Sequence, residues 1–308
     1  VAASEQFSLG AELAGRFDRL AADPAHPLLL EHRSRLAAFL RRHGPDGVAV
    51  EDLLGPAEGL SLVLQPRAFH VAADSFDGSY EFVGPCLGNR AFQGEWHPPA
   101  GGYGGTPVLL VSLGTLYNER LGFFRTCLEA FGCFPGHVVM SIGHRVDRAG
   151  LGPLPPNVEV HAHVPQLAVL RHAQAFVTHG GMGSTMEALY FATPLVVVPQ
   201  TPEQDVVARR VGELGLGRRI PPSEVTSGGL REAVLDATAD ESVLQRVRDM
   251  QRRVRAAGGS PRAADAIEAR VRTHRAIAGP SLVALDRALD RALDRALDRA
   301  LDRAGGSG

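Results

Sequence analysis

The sequence contains no lysine. All 32 of its basic residues are arginines, set against 34 Asp and Glu, for a net charge of −2. So even a balance gives no electrostatic footprint for nucleic acid or an anionic membrane, and neither is expected as a partner. Arginine without lysine, alongside 35 Gly and 21 Pro, reads as a GC-rich coding bias, not a functional arginine patch. Cysteine is scarce: Cys86, Cys127 and Cys133 form no CxxC pair. Three cysteines cannot all be bridged, so a cysteine-rich metal site is excluded and a reduced, cytoplasmic compartment is expected. No apolar run approaches the ~20 residues of a membrane span. The longest, around Val108–Val111 and Leu195–Val198, have the length of buried strands. The first residues, VAASEQFSLG, lack the basic and apolar regions of a signal peptide. They also lack Met, so either a GTG start was read literally or the chain begins within a longer protein.

What is present fits a globular chain: 44% hydrophobic and 21% charged residues over 308 positions, enough for roughly two domains at ~150 residues each. Residues 1–45 read as helical, with Leu9, Leu13, Phe17 and Leu20, then Leu36, Phe39 and Leu40, at helical spacing around a Pro24–Pro27 break. Two strand-like pieces follow, Leu60–Leu64 and Tyr80–Val83. Residues 85–106 are rich in Gly, Pro and Asn and read as a linker.

From residue 107 short apolar strands alternate with helical patterns. The expected strands are Val108–Leu113, His137–Ile142, Val158–His161, Ala175–Thr178 and Leu195–Val198. Helices are expected at about Glu119–Phe131, Gln166–His172, Ser184–Phe191, Gln204–Leu214 and within Leu230–Val271. Such alternation predicts βαβ units and a doubly wound parallel α/β sheet, with ligands at the carboxyl ends of its strands. The domains expected are 1–100, an incomplete N-terminal module that leaves apolar surface exposed plus a linker; 105–275, a Rossmann-like domain; and 280–308, a low-complexity helical or disordered tail. In that tail Ala-Leu-Asp-Arg repeats five times over 284–303. A four-residue period drifts about 40° per repeat on a helix, so its leucines make a wandering stripe instead of a coiled-coil seam.

The chemistry concentrates in His163–Gln204. Strand Ala175–Thr178 runs into His179-Gly-Gly-Met-Gly-Ser-Thr-Met-Glu187. The glycines admit a ligand close to the backbone, and Ser184 and Thr185 are expected near a helix N-cap, whose N–H groups and dipole form a diphosphate cradle. Taken alone, such a turn also serves tight packing. Upstream stands Val164-Pro-Gln166, and Pro199-Gln-Thr-Pro-Glu-Gln204 closes the window.

With these three parts at this spacing, the chain resembles the nucleotide-sugar-dependent glycosyltransferases of the GT-B fold, in the macrolide and UDP-glucuronosyltransferase-like family. Their donor motif runs Trp-x-Pro-Gln, His-x-Gly-x-x-Ser-x-x-Glu and Pro-x-x-x-Asp-Gln, and the similarity extends over about 55–275. The resemblance implies an inverting, metal-independent hexosyltransferase that moves a hexose from a UDP- or TDP-sugar to a hydroxyl of a small natural product, macrolide or phenolic, with no cofactor beyond the donor. It places His179, Gly183, Ser184, Thr185, Gly114 and Thr115 at the diphosphate. His163, Val164, Gln166 and Glu187 would hold the nucleoside, and Glu203 and Gln204 the sugar. Two positions depart from the pattern: His163 stands for the base-stacking Trp, and Glu203 for Asp.

The resemblance also implies a catalytic His in a first domain, oriented by an Asp, that deprotonates the acceptor. No counterpart is found in about 100 preceding residues; His70 reads as incidental, and His144, His161 and His172 as structural or surface residues. Three functions stay open at this point: a glycosyltransferase whose sequence here is truncated, a donor-binding subunit that needs a separate N-terminal-domain chain, and a non-catalytic nucleotide-binding protein.

Overall fold

The computed structural model describes residues 2–3, 27–44, 48–51, 59–88, 91–98, 107–116 and 118–273. Where residues 1–45 read as helical, Ala2–Ala3 form a strand instead, and residues 1 and 4–26 lie outside the described residues, as does the Ala-Leu-Asp-Arg tail. The chain forms two compact units, Val1–Ser260 and Pro261–Gly308; in the second, the described stretch 261–273 is helical. This division falls inside the span 105–275 read from the sequence as one domain.

The first unit opens with strand β1 (Ala2–Ala3), helix α1 (Pro27–His43) and strands β2 (Ser61–Val63) and β3 (Tyr80–Phe82). Proline starts α1 well, since its φ suits a first turn whose N–H groups lack helical partners. β1, β2 and β3 pair in parallel in that order. This small sheet and its helix leave Leu30 52% exposed and Phe39 59% exposed, and Phe92 in the linker is 85% exposed.

The rest of the unit is β4 (Val108–Ser112), α2 (Leu121–Phe131), β5 (His137–Ser141), β6 (Val158–His161), α3 (Gln166–Leu170) and β7 (Ala173–Thr178), then α4 (Met182–Tyr190), β8 (Leu195–Val197), α5 (Pro202–Glu213), β9 (Gly217–Arg219), α6 (Ser227–Ala239) and α7 (Glu241–Ala256). Six strands pair in parallel in the order β6-β5-β4-β7-β8-β9. Counted from β4 this is the doubly wound order 3-2-1-4-5-6, whose direction of winding reverses between β4 and β7.

The strands read as unbroken apolar runs because both faces are covered. Leu109, Val111, Val138, Met140, Ala175, Val177 and Val196 face α2 and α6, meeting Phe124, Phe131, Leu230 and Val234. Val108, Leu110, Val139, Phe176, Leu195 and Val197 face the other side and meet Met186 and Leu189 of α4, Val207 and Val211 of α5, and Val247 and Val254 of α7. β9 escapes the sequence reading: Gly-Arg-Arg carries no apolar alternation, and the strand exists through backbone pairing to β8.

The segment preceding β4 is docked on this second face. Phe69 is buried among its apolar residues, and the Arg210 guanidinium of α5 donates to the carbonyls of Phe69 at 2.8 Å, His70 at 3.3 Å and Ala68 at 3.4 Å. The linker is pinned at the sheet edge, where the Trp96 indole N–H donates to Glu159 of β6 at 2.6 Å.

Candidate functional site

Where winding reverses between β4 and β7, the flanking loops diverge and leave a crevice at the carboxyl ends of the strands. A cavity of about 600 Å³ lies there. Ser112, Gly114 and Thr115 close it from the end of β4, Gly143 and His144 from the end of β5, and His163, Val164 and Gln166 from the loop into α3. Also lining it are His179 with Gly181, Gly183, Ser184 and Glu187 of the β7–α4 turn and helix, and Glu203 reaches it from α5.

The turn is built around the His179 ring. A Cβ added to Gly114 would come within 2.6 Å of His179 Cε1, and one on Gly181 within 2.5 Å of Nε2. Only glycine lets two backbone segments close on the imidazole in this way. Burial lowers the His179 pKa to about 4, so the ring is neutral at pH 7. The Thr178 hydroxyl accepts from the Gly180 N–H at 3.4 Å and stands 3.4 Å from His179 Nδ1.

α4 begins two residues earlier than expected, at Met182, with Gly181 as its cap in extended geometry. The first intrahelical bond is Thr185 N–H to Gly181 C=O at 2.9 Å, so the N–H groups of Met182, Gly183 and Ser184 precede it and point out of the helix end. This shift relocates two expected residues. Ser184 sits within the first turn and lines the cavity. Thr185 is fully buried, its hydroxyl has no hydrogen-bond partner, and it does not line the cavity; it is a core residue.

Gln166 and Glu187, 21 positions apart, meet at the cavity wall: Gln166 Nε2 donates to Glu187 Oε2 at 2.6 Å and to Ser184 Oγ at 3.2 Å. Glu187 is only 4% exposed. Val164 is buried beside the exposed His163. Glu203 faces the cavity, whereas Gln204 turns back: its Oε1 accepts from the Gln200 N–H at 2.8 Å and it does not line the cavity.

This chain matches the family profile of the "Erythromycin biosynthesis protein CIII-like, C-terminal domain" over residues 125–265. It is 46% identical to the NDP-glycosyltransferase YjiC of Bacillus licheniformis over 219 residues, which is 71% of this chain and 55% of that protein. It is 46% identical to the oleandomycin glycosyltransferase of Streptomyces antibioticus over 211 residues, 68% of this chain and 48% of that one. Among solved structures, the glycotransferase of kitacinnamycin shares 43% identity with a TM-score of 0.71, across 85% of this chain and 67% of that chain. The calicheamicin glycosyltransferase CalG4 shares 41% identity with a TM-score of 0.68, across 91% and 68%. The chain belongs to the GT-B glycosyltransferase family. It spans about half the length of the curated glycosyltransferases named above.

Around this cavity, two residues escape sequence reasoning. Asn118 carries no spacing signal, yet it is 3% exposed and lines the cavity. His144, read as structural or surface, also lines it. His70 packs edge-on against Phe76 at 4.7 Å and Phe82 at 5.4 Å, its Nδ1 accepting from the Ala72 N–H at 3.1 Å; it is a core residue outside the cavity. His161 and His172 lie at Glu159 and Trp96, also outside it. Among the described residues no group of three or more His, Cys, Asp or Glu could hold a metal ion, and no helix is long and apolar enough to cross a membrane.

Proposed function

We propose that this chain carries the donor-binding half of an inverting glycosyltransferase that transfers a hexose from a UDP- or TDP-sugar to a hydroxyl of a small natural product, without a metal. The observation that carries this reading is the convergence, in one cavity, of the α4 N-terminus, neutral His179 and the Gln166–Glu187–Ser184 cluster. Relatives named for erythromycin biosynthesis, oleandomycin and demethyllactenocin support an acceptor of the macrolide class.

In this reading the first-turn N–H groups of α4 and the His179 Nε2–H donate to the diphosphate. They stabilise the negative charge that grows there as the anomeric C–O bond breaks, which is the work a metal would otherwise do. Glu187 accepts from ribose hydroxyls and Glu203 from the sugar. The acceptor oxygen attacks the opposite face of the anomeric carbon, which inverts it, and its proton passes to a base of an N-terminal half. General-base assistance contributes roughly 10²–10⁴-fold.

Calorimetry with UDP, TDP and ADP in the presence of EDTA tests the reading. UDP or TDP binds, ADP binds much more weakly, and His179→Ala costs about 1.5–3 kcal/mol, roughly a 10- to 150-fold rise in Kd. Equal binding of ADP would overturn the pyrimidine assignment. With UDP- or TDP-glucose and a macrolide acceptor, the 308-residue chain transfers sugar slowly, and supplying the N-terminal half of a relative restores turnover.

A further inference from the structure

Asn118 is a buried side chain that the reading above leaves without a task. Its Nδ2 donates to the Gly114 carbonyl at 2.7 Å. The amide lies against Gly143, where an added Cβ would come within 2.2 Å of Nδ2 and 3.0 Å of Oδ1. Gly114 is tied at its other end as well, its N–H donating to Ser112 Oγ at 3.2 Å. It also has φ +75, which glycine adopts readily; a flip of the Gly114–Thr115 peptide is opposed by the Asn118 hydrogen bond to that carbonyl.

That flip decides what the cavity presents to a phosphate. In a planar trans peptide the C=O and the following N–H point in opposite directions. With the Gly114 carbonyl held toward Asn118, the Thr115 N–H is turned the other way; with the peptide reversed, a carbonyl oxygen would replace that N–H. One orientation offers an anion a donor, and the other offers it a partial negative charge.

We infer that Asn118 is a positioning residue: by holding the Gly114 carbonyl, it directs the Thr115 N–H at the diphosphate and keeps the carbonyl dipole away from it. This inference rests on the donor-site reading above. Gly143 belongs to the same device, because its missing side chain is the space that the Asn118 amide fills.

The experiment compares UDP with uridine on the wild type, Asn118→Ala and Gly143→Ala, by calorimetry, with thermal melts as the check on folding. The wild type binds UDP more tightly than uridine. Asn118→Ala weakens UDP about tenfold, the worth of one hydrogen bond to a charged group, and leaves uridine within twofold. In ¹⁵N-labelled protein the Thr115 amide resonance moves on UDP addition in the wild type and stays in place in the variant. Gly143→Ala, which strains the backbone at φ +79 and displaces the amide without removing it, shows the same phosphate-selective loss relative to uridine, and it carries the comparison if Asn118→Ala has no melting transition. An equal loss for both ligands, or no loss, overturns the role of Asn118 while the donor site stands. A wild type that binds neither ligand overturns both.

Discussion

His179 makes the stability of this protein depend on pH in a window that few other groups share. Its pKa is lowered from 6.5 to about 4 by burial, so between those values the unfolded chain binds a proton that the folded chain excludes. Stability is therefore fully present above pH 6.5 and is lost as pH falls toward 4. Worked for one site, the loss between pH 7 and pH 4.5 is about 2.5 kcal/mol. For a chain of 308 residues that is roughly 4 °C in Tm. The carboxylates of Asp77, Asp205 and Asp240, whose pKa values are lowered from 3.8, lose their contribution below that value and cancel in a comparison of variants. His179→Gln removes the titrating group while keeping a polar side chain. Melting the wild type and this variant at pH 7 and pH 4.5 should show the wild type dropping by that extra interval. Parallel pH dependence in the two proteins would refute the claim that the imidazole is held neutral between the glycines.

Gly114→Ala should lower stability by roughly 1–3 kcal/mol, because a side chain is strained at this backbone angle, and should weaken UDP at least tenfold by displacing His179; an unchanged melt refutes it. Arg210→Ala should cost about 1.5–3 kcal/mol in urea unfolding, since three carbonyls lose a charged donor, and Arg210→Lys should not restore it because an ammonium lacks the guanidinium fork. Glu187→Ala should weaken UDP more than TDP, whose deoxyribose lacks the 2′-hydroxyl; equal losses in calorimetry would remove Glu187 from the ribose.

The alternation of apolar runs with helical patterns after residue 107 was enough to read a parallel, two-face-covered sheet, since strands buried on both sides have to be apolar throughout. The spacing from His179 to Glu187 was local, so His179, Ser184 and Glu187 could be read as neighbours on one turn and one helix face. Ranges such as Val158–His161 therefore agree residue for residue with the observed strand. What the sequence could not determine lies in contacts between distant segments. The helix start moved from Ser184 to Met182 because Gly181 takes the cap geometry beside the His179 ring, and that sent Thr185 into the core. Gln204 turned away because Gln200 claims its side-chain oxygen. β9 formed only because β8 offered an unpaired edge to a segment with no strand pattern of its own. Asn118 gained its role from Gly114 and Gly143, one before and one well after it in the chain, and the hydrogen bond between Gln166 and Glu187 joined two motifs that the sequence shows only as separate. Periodicity records which side chains must be buried, and it is short-ranged; the direction of one amide or one carbonyl is set by whatever the folded chain brings against it.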